Sequence, residues 1–185
     1  LRGPRSGIMV AKTDKLAKKL NFSIFPNLQG GPLVHVIAAK AIAFKEADTP
    51  EFKLYQQQIL DNAKCFATEL MRLGFDVVSN GTSNHMFLVD LTKQGISGKD
   101  AEHYLGAANI TVNKNTIPND TRGPFVTSGI RIGTPAVTTR GFKEPEIKVV
   151  AGLVAKILTD VSNEGIRKEV IDCIADLTRK FPVYK

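Results

Sequence analysis

The feature that most constrains the fold is a long helical pattern that ends at Gly74. Thr49-Pro50 is typical of a capping residue followed by the first residue of a helix, and Gly74 is typical of the position just past a helix end. Between them the apolar residues recur every three or four positions, at Phe52, Tyr55, Ile59, Ala63, Phe66, Leu70 and Leu73. We expect this helix to connect two domains, with residues 1–48 ending the first and residues 49–185 forming a smaller second one.

The other segments alternate between helices and short strands. Gly7–Ala11 is expected to be a buried strand, and Pro32 stands at the expected start of an apolar, buried helix over Leu33–Ala47. Further strands are expected at 75–79, 86–91 and 128–133, and further helices at 12–20, 97–107, 144–158 and 163–181. Residues 109–125 are expected to be mostly loop. This order of elements indicates an α/β protein.

The chain opens on Leu1-Arg2-Gly3-Pro4-Arg5, without an initiator methionine, and reaches an apolar run by Ile8. A glycine-rich turn followed at once by apolar residues is typical of the middle of a sheet. We therefore expect the chain to be the C-terminal part of a larger enzyme, whose N-terminal remainder would be its partner.

Composition restricts the other classes of function. The formal net charge is +7, which raises the possibility of nucleic-acid binding, but the basic residues are spread along the chain and fit solvated helix faces. Cys65 and Cys173 lie in amphipathic helix patterns, which favours reduced core thiols and a cytoplasmic protein. The three histidines share no metal-ligand spacing with each other or with the cysteines, so no metal is assigned.

Three segments carry residues suited to chemistry. Gly30 and Gly31 precede a helix start, where free N–H groups favour an anion such as phosphate, although a plain turn explains the same spacing. Arg131 lies between small residues in a strand, which suits either capture of a carboxylate or pairing with an internal acid. The amide side chains of Asn113–Asp120, followed by Gly123-Pro124-Phe125, suit contact with a polar heterocycle or simply form turns.

Taken together, several blocks of the chain resemble the serine hydroxymethyltransferase family. The matching blocks are Leu1-Arg2-Gly3-Pro4-Arg5, Phe25-Pro26 with Gln29-Gly30-Gly31-Pro32, Tyr55-Gln56-Gln57-Gln58, Asn84-His85 with Leu88-Val89-Asp90-Leu91, Asn109 to Asn115, and Thr127 to Pro135. The resemblance implies the end of the large domain of a fold-type I transferase dependent on pyridoxal 5'-phosphate, followed by a smaller α+β C-terminal domain.

The resemblance also implies roles for particular residues. Arg131 corresponds to the arginine that binds the carboxylate of serine or glycine. Gly31, with Gly30 beside it, corresponds to the glycine whose N–H reaches the cofactor phosphate of a neighbouring subunit, which implies a homodimer or a dimer of dimers. Arg5 is expected to support the active site. The resemblance implies that folate is bound by Asn115, Gly123, Pro124 and Phe125, although Gly123 stands where the family often has serine.

The resemblance places the lysine that forms the Schiff base with the cofactor just before Leu1. No residue of this chain is then expected to be catalytic, and the chain alone is expected to be inactive. Tetrahydrofolate is the expected co-substrate. Two alternatives stay open: another fold-type I enzyme, such as an aldolase or aminotransferase, or a non-catalytic fragment that binds RNA or protein partners.

Overall fold

The computed structural model describes residues 1–183, and the chain divides into two compact units, Leu1–Lys53 and Leu54–Lys185. The first unit contains helix α1 (Asp14–Phe22), a wide helical turn at Ser23–Leu28 and helix α2 (Val34–Ala47). Helix α3 (Pro50–Arg72) begins in this unit and continues into the second. The domain boundary after residue 48 remains a prediction.

The predicted strand at Gly7–Ala11 is wrong. These residues have no regular secondary structure, and Val10 is 87% exposed. A strand needs a neighbour for its backbone N–H and C=O groups, and among the described residues every strand belongs to the second unit. An apolar run in a sequence favours a strand, but it does not show whether a neighbouring strand is present to pair with it.

Helix α2 also departs from the prediction. It begins at Val34, one residue later than predicted, and the backbone of Leu33 is not helical. Pro32 therefore precedes the helix instead of opening it. Ala43 is its one fully buried residue, whereas Val34 and Ile42 are more than half exposed. The predicted burial of this helix is therefore wrong, since residues 1–183 leave most of its apolar surface exposed.

The second unit is built on a four-stranded antiparallel sheet in the order β1-β2-β4-β3. The strands are β1 (Asp76–Val77), β2 (Met86–Asp90), β3 (Asn113–Asn115) and β4 (Gly129–Gly133). Helices α4 (Gly98–Ala107), α5 (Pro135–Arg140), α6 (Glu144–Thr159) and α7 (Glu164–Lys180) complete the unit. The sheet and helices agree with the predicted α/β class.

The core lies between one face of the sheet and the helices. Phe87 and Val89 of β2 and Ile130 and Ile132 of β4 point into it, as strand alternation requires. Phe66 of α3 packs edge to face on Phe87, with ring centroids 5.6 Å apart. The opposite face of β3 and β4 therefore carries the residues in between.

Local signals set most helix ends correctly. Thr49 accepts a hydrogen bond from the Phe52 N–H at 3.2 Å ahead of α3, and Gly74 takes a φ of +90° just past its end. The predicted Ser97 cap is confirmed by a 3.0 Å hydrogen bond from the Asp100 N–H to the Ser97 hydroxyl. Strand β3 and helix α5 were not predicted, and β1 is shorter than expected.

Candidate functional site

Arg131 lies in the middle of β4, on the face of the sheet away from the core. Its neighbours Ile130 and Ile132 are buried while Arg131 is exposed, which confirms the predicted alternation. In the adjacent strand Asn113 stands in register opposite Arg131, and its side-chain oxygen accepts a 3.0 Å hydrogen bond from the guanidinium. A guanidinium has further N–H donors in a planar fork, so Arg131 is held in place with donors remaining for a carboxylate.

Asn115 follows Asn113 on the same face of β3 and pairs with Gly129 of β4. It is half-buried, and its side-chain NH2 donates to the Thr116 carbonyl at 2.7 Å. Gly129 has no room for a side chain, since an added Cβ would lie 2.7 Å from the Val89 carbonyl. The sheet thus presents Asn113, Asn115 and Arg131 together on one face.

A loop connects Asn115 with β4, and its tip is the turn Gly123-Pro124-Phe125. The Gly123 carbonyl accepts hydrogen bonds from the N–H groups of Val126 and Thr127, both at 3.0 Å. Phe125 is 84% exposed, which is unusual for a large aromatic side chain in an ordered turn. A ring displayed in this way is suited to stacking on a flat heterocycle.

Asp120 organises this loop from within. Its carboxylate accepts hydrogen bonds from the N–H groups of Ile117, Arg122 and Ser128 and from the Ser128 hydroxyl. These bonds favour the ionised form, the Ser128 hydroxyl most strongly, and lower the pKa of Asp120 to about 2. Asp120 is therefore a carboxylate throughout the physiological pH range.

The predicted cofactor residues lie in the first unit. Arg5 and Gly31 both line a cavity of about 1110 Å³ there, whereas Gly30 is not among its lining residues. Gly30 and Gly31 are exposed, and a Cβ added at either would meet no atom within 4 Å. Their surroundings leave space for a group to approach the backbone.

The start of α2 lies close to these glycines. The first N–H groups of any helix lack an intrahelical partner and lie at the positive end of its dipole. Because α2 begins at Val34, Gly31 stands three residues before the first helical position, and not at the helix start as predicted. These features fit the phosphate end of a cofactor, while the groups that would bind its ring are not assigned within this chain.

The structure thus places the predicted residues in two sets. Arg5, Gly30 and Gly31 belong to the unit Leu1–Lys53, and Arg131, Asn115 and the 123–125 turn belong to the unit Leu54–Lys185. Sequence reasoning did not identify Asn113 as the partner of Arg131, because they are 18 positions apart and only the pairing of β3 with β4 brings them together.

Residues 1–183 offer neither a metal site nor a membrane-spanning helix. No cluster of three or more histidine, cysteine, aspartate or glutamate side chains among them has the arrangement of a metal site. None of the helices described is both long and apolar enough to span a bilayer. Cys65 and Cys173 are both free thiols.

Comparison with known proteins identifies the family. The sequence profile of the family described as serine hydroxymethyltransferase matches residues 1–154. The chain therefore belongs to the serine hydroxymethyltransferase family.

Curated relatives agree over the full chain. It is 59% identical over 185 residues to serine hydroxymethyltransferase 2 of Pseudomonas fluorescens (strain Pf0-1) and 58% identical over 186 residues to serine hydroxymethyltransferase of Coxiella burnetii (strain Dugway 5J108-111). Each alignment covers 100% of this chain and 44% of the relative. The chain thus spans less than half the length of these relatives and matches their C-terminal part.

Proposed function

We propose that this chain is the C-terminal part of an enzyme that transfers a hydroxymethyl group between serine and tetrahydrofolate. The products are glycine and 5,10-methylenetetrahydrofolate, and the reaction is reversible. The observation that carries the proposal is Arg131, exposed on an open sheet face, oriented by Asn113 and next to Asn115 on the same face. Family membership supports the reaction type.

The residues of this chain bind and position substrates. Arg131 binds the carboxylate of serine or glycine, which fixes the amino acid in one orientation. Asn115 and the turn Gly123-Pro124-Phe125 contact tetrahydrofolate, with the exposed Phe125 ring available for stacking.

The cofactor side of the proposal involves the first unit. Gly31, with Gly30 beside it, offers backbone N–H groups to the phosphate of pyridoxal 5'-phosphate, and Arg5 supports that region. When bound, this cofactor acts as an electron sink for bond cleavage next to the amino group. We place the lysine that binds it covalently in the part of the relatives' length that this chain does not match. We call the polypeptide that also includes that lysine the complete enzyme.

The proposal also covers the oligomeric state and the cellular compartment of the enzyme. A glycine that serves a neighbouring subunit's phosphate requires a homodimer or a dimer of dimers. The free thiols at Cys65 and Cys173 support a reducing compartment, and we place the enzyme in the cytoplasm.

The test is the Arg131→Ala variant of the complete enzyme. We expect the KM for serine to rise on the order of 100-fold, because a charged, bidentate contact is lost. Cofactor content, measured by absorbance, should stay at the wild-type level, because Arg131 is not proposed to contact the cofactor. Arg179→Ala is the matched control, since Arg179 is exposed on α7 and its one ion pair within residues 1–183 is with Asp176. Normal serine binding by Arg131→Ala would refute the role of Arg131.

A further inference from the structure

We propose that Asp120 is the positioning residue of the folate side: it holds the Gly123-Pro124-Phe125 turn in the conformation that receives tetrahydrofolate. This inference rests on the proposed function, because it assumes that the turn contacts folate. It adds a residue that does not itself touch the substrate and acts through the backbone of the loop.

Asp120 joins residues from both ends of the loop. One carboxylate oxygen accepts from the Arg122 N–H at 2.9 Å and from the Ser128 hydroxyl at 2.6 Å. The other accepts from the Ser128 N–H at 2.9 Å and from the Ile117 N–H at 3.3 Å. Ile117 lies just after β3 and Ser128 just before β4, so a single side chain ties the two ends of the loop together.

The turn itself lies between residues that hydrogen bonds hold in place. On one side, the Arg122 N–H donates to Asp120, and the Arg122 guanidinium donates to the Ile96 carbonyl at 2.9 Å. On the other side, the carbonyls of Val126 and Thr127 accept from the N–H groups that begin α4, each at 3.0 Å. The tip residues are exposed while their flanks are fixed.

Asp120 differs from an ordinary turn-forming aspartate in the reach of its hydrogen bonds. Such a residue usually bonds the backbone about two positions further on, as Asp120 does with Arg122. The bonds to Ser128 cross eight positions and reach the residue that enters β4. An exposed aromatic ring contributes more to binding when its backbone is held before the ligand arrives, because ordering the loop on binding would cost affinity.

The experiment is Asp120→Asn in the complete enzyme. Asparagine has the same size, but its NH2 group cannot accept the hydrogen bonds that one carboxylate oxygen now accepts. We expect the KM for tetrahydrofolate to rise about ten-fold, and the KM for serine and the folate-independent cleavage of a β-hydroxy amino acid to change less than about two-fold. Asp172→Asn, an exposed aspartate of α7, is the matched control.

A second readout does not depend on activity. Trypsin cleaves after Arg122, so a loosened loop should be cut faster in Asp120→Asn than in the wild type or in Asp172→Asn. Ser128→Ala, which removes the shortest of the hydrogen bonds and keeps the carboxylate, should change both readouts in the same direction by a smaller factor.

The outcomes distinguish this inference from the proposed function. A wild-type complete enzyme without folate-dependent serine cleavage refutes the proposed function. A wild-type enzyme with that activity, combined with an unchanged folate KM in Asp120→Asn, refutes the role of Asp120 alone. Equal losses in folate-dependent and folate-independent cleavage also refute it, because they would show a general structural role.

Discussion

Replacing Asn62 with alanine should lower the free energy of unfolding of the second unit, although asparagine is a polar residue. Asn62 is fully buried in α3, and its side-chain NH2 donates to the Thr138 hydroxyl at 2.8 Å and to the Phe142 carbonyl at 2.9 Å. Both partners belong to the segment that follows β4. The amide therefore holds the end of the Arg131 strand against the long helix.

The magnitude follows from the partners that the variant leaves behind. In the variant, the buried Phe142 carbonyl loses the hydrogen bond from Asn62. This loss lowers the free energy of unfolding by about 2 kcal/mol, within the range for a buried polar group left unsatisfied. The Thr138 hydroxyl loses one partner at about 1 kcal/mol but keeps its own donation to the Thr134 carbonyl. The free energy of unfolding should then fall by about 3 kcal/mol.

Urea unfolding of the 185-residue chain, followed by circular dichroism, measures this change. With an m value of about 2 kcal/mol/M, the midpoint should fall by about 1.5 M at unchanged m. Gln57→Ala is the matched control, since Gln57 is exposed on the same helix and its side chain donates a hydrogen bond to Asp61. This variant should change stability by less than about 0.5 kcal/mol. A loss below about 1 kcal/mol for Asn62→Ala would contradict the reasoning.

Two further predictions concern packing and pH. Gly98→Ala places a Cβ against the Thr127 hydroxyl and the Gly129 carbonyl, so the free energy of unfolding in urea should fall by about 1–3 kcal/mol. Gly106→Ala in the same helix meets open space and should be neutral or stabilising; equal losses in both would refute the steric explanation. Burial raises the pKa of the Cys65 thiol. In a Cys173→Ala background it should react with a disulfide reagent more slowly than free cysteine, and its rate should still be rising with pH where free cysteine has levelled off. A rate matching that of free cysteine would contradict this prediction.

All the helices except α5 were predictable, because the signals that define them are local. Apolar spacing and the capping residues Thr49 and Ser97 lie within a few positions of the helix ends that they define. Strand β3 was missed because Asn113, Lys114 and Asn115 have low strand propensity, and pairing with β4 overrides that preference. The strand at Gly7–Ala11 failed for the opposite reason, since a favourable local pattern lacks a partner within the described chain.

The candidate site likewise has one part that local sequence patterns predict and another part that they do not. Alternation along β4 was sufficient to place Arg131 on the open face of the sheet. The pairing of Arg131 with Asn113 and the hydrogen bonds between Asp120 and Ser128 join residues eight or more positions apart, and local patterns do not contain that information. The roles of Arg5, Gly30 and Gly31 came from resemblance to a family and remain proposals.

The position of Asn113 depends on a contact on the other side of the sheet. A one-residue slip of β3 would turn Asn113 and Asn115 towards the core and Lys114 outward. Glu102 of α4 opposes this slip, because it accepts from the Lys114 backbone N–H at 3.1 Å and from its ammonium group at 3.5 Å. That backbone contact also satisfies a donor at the edge of the sheet, where no further strand follows in the described residues. The helix face behind the sheet thus fixes the register that sets Asn113 opposite Arg131 in front of it.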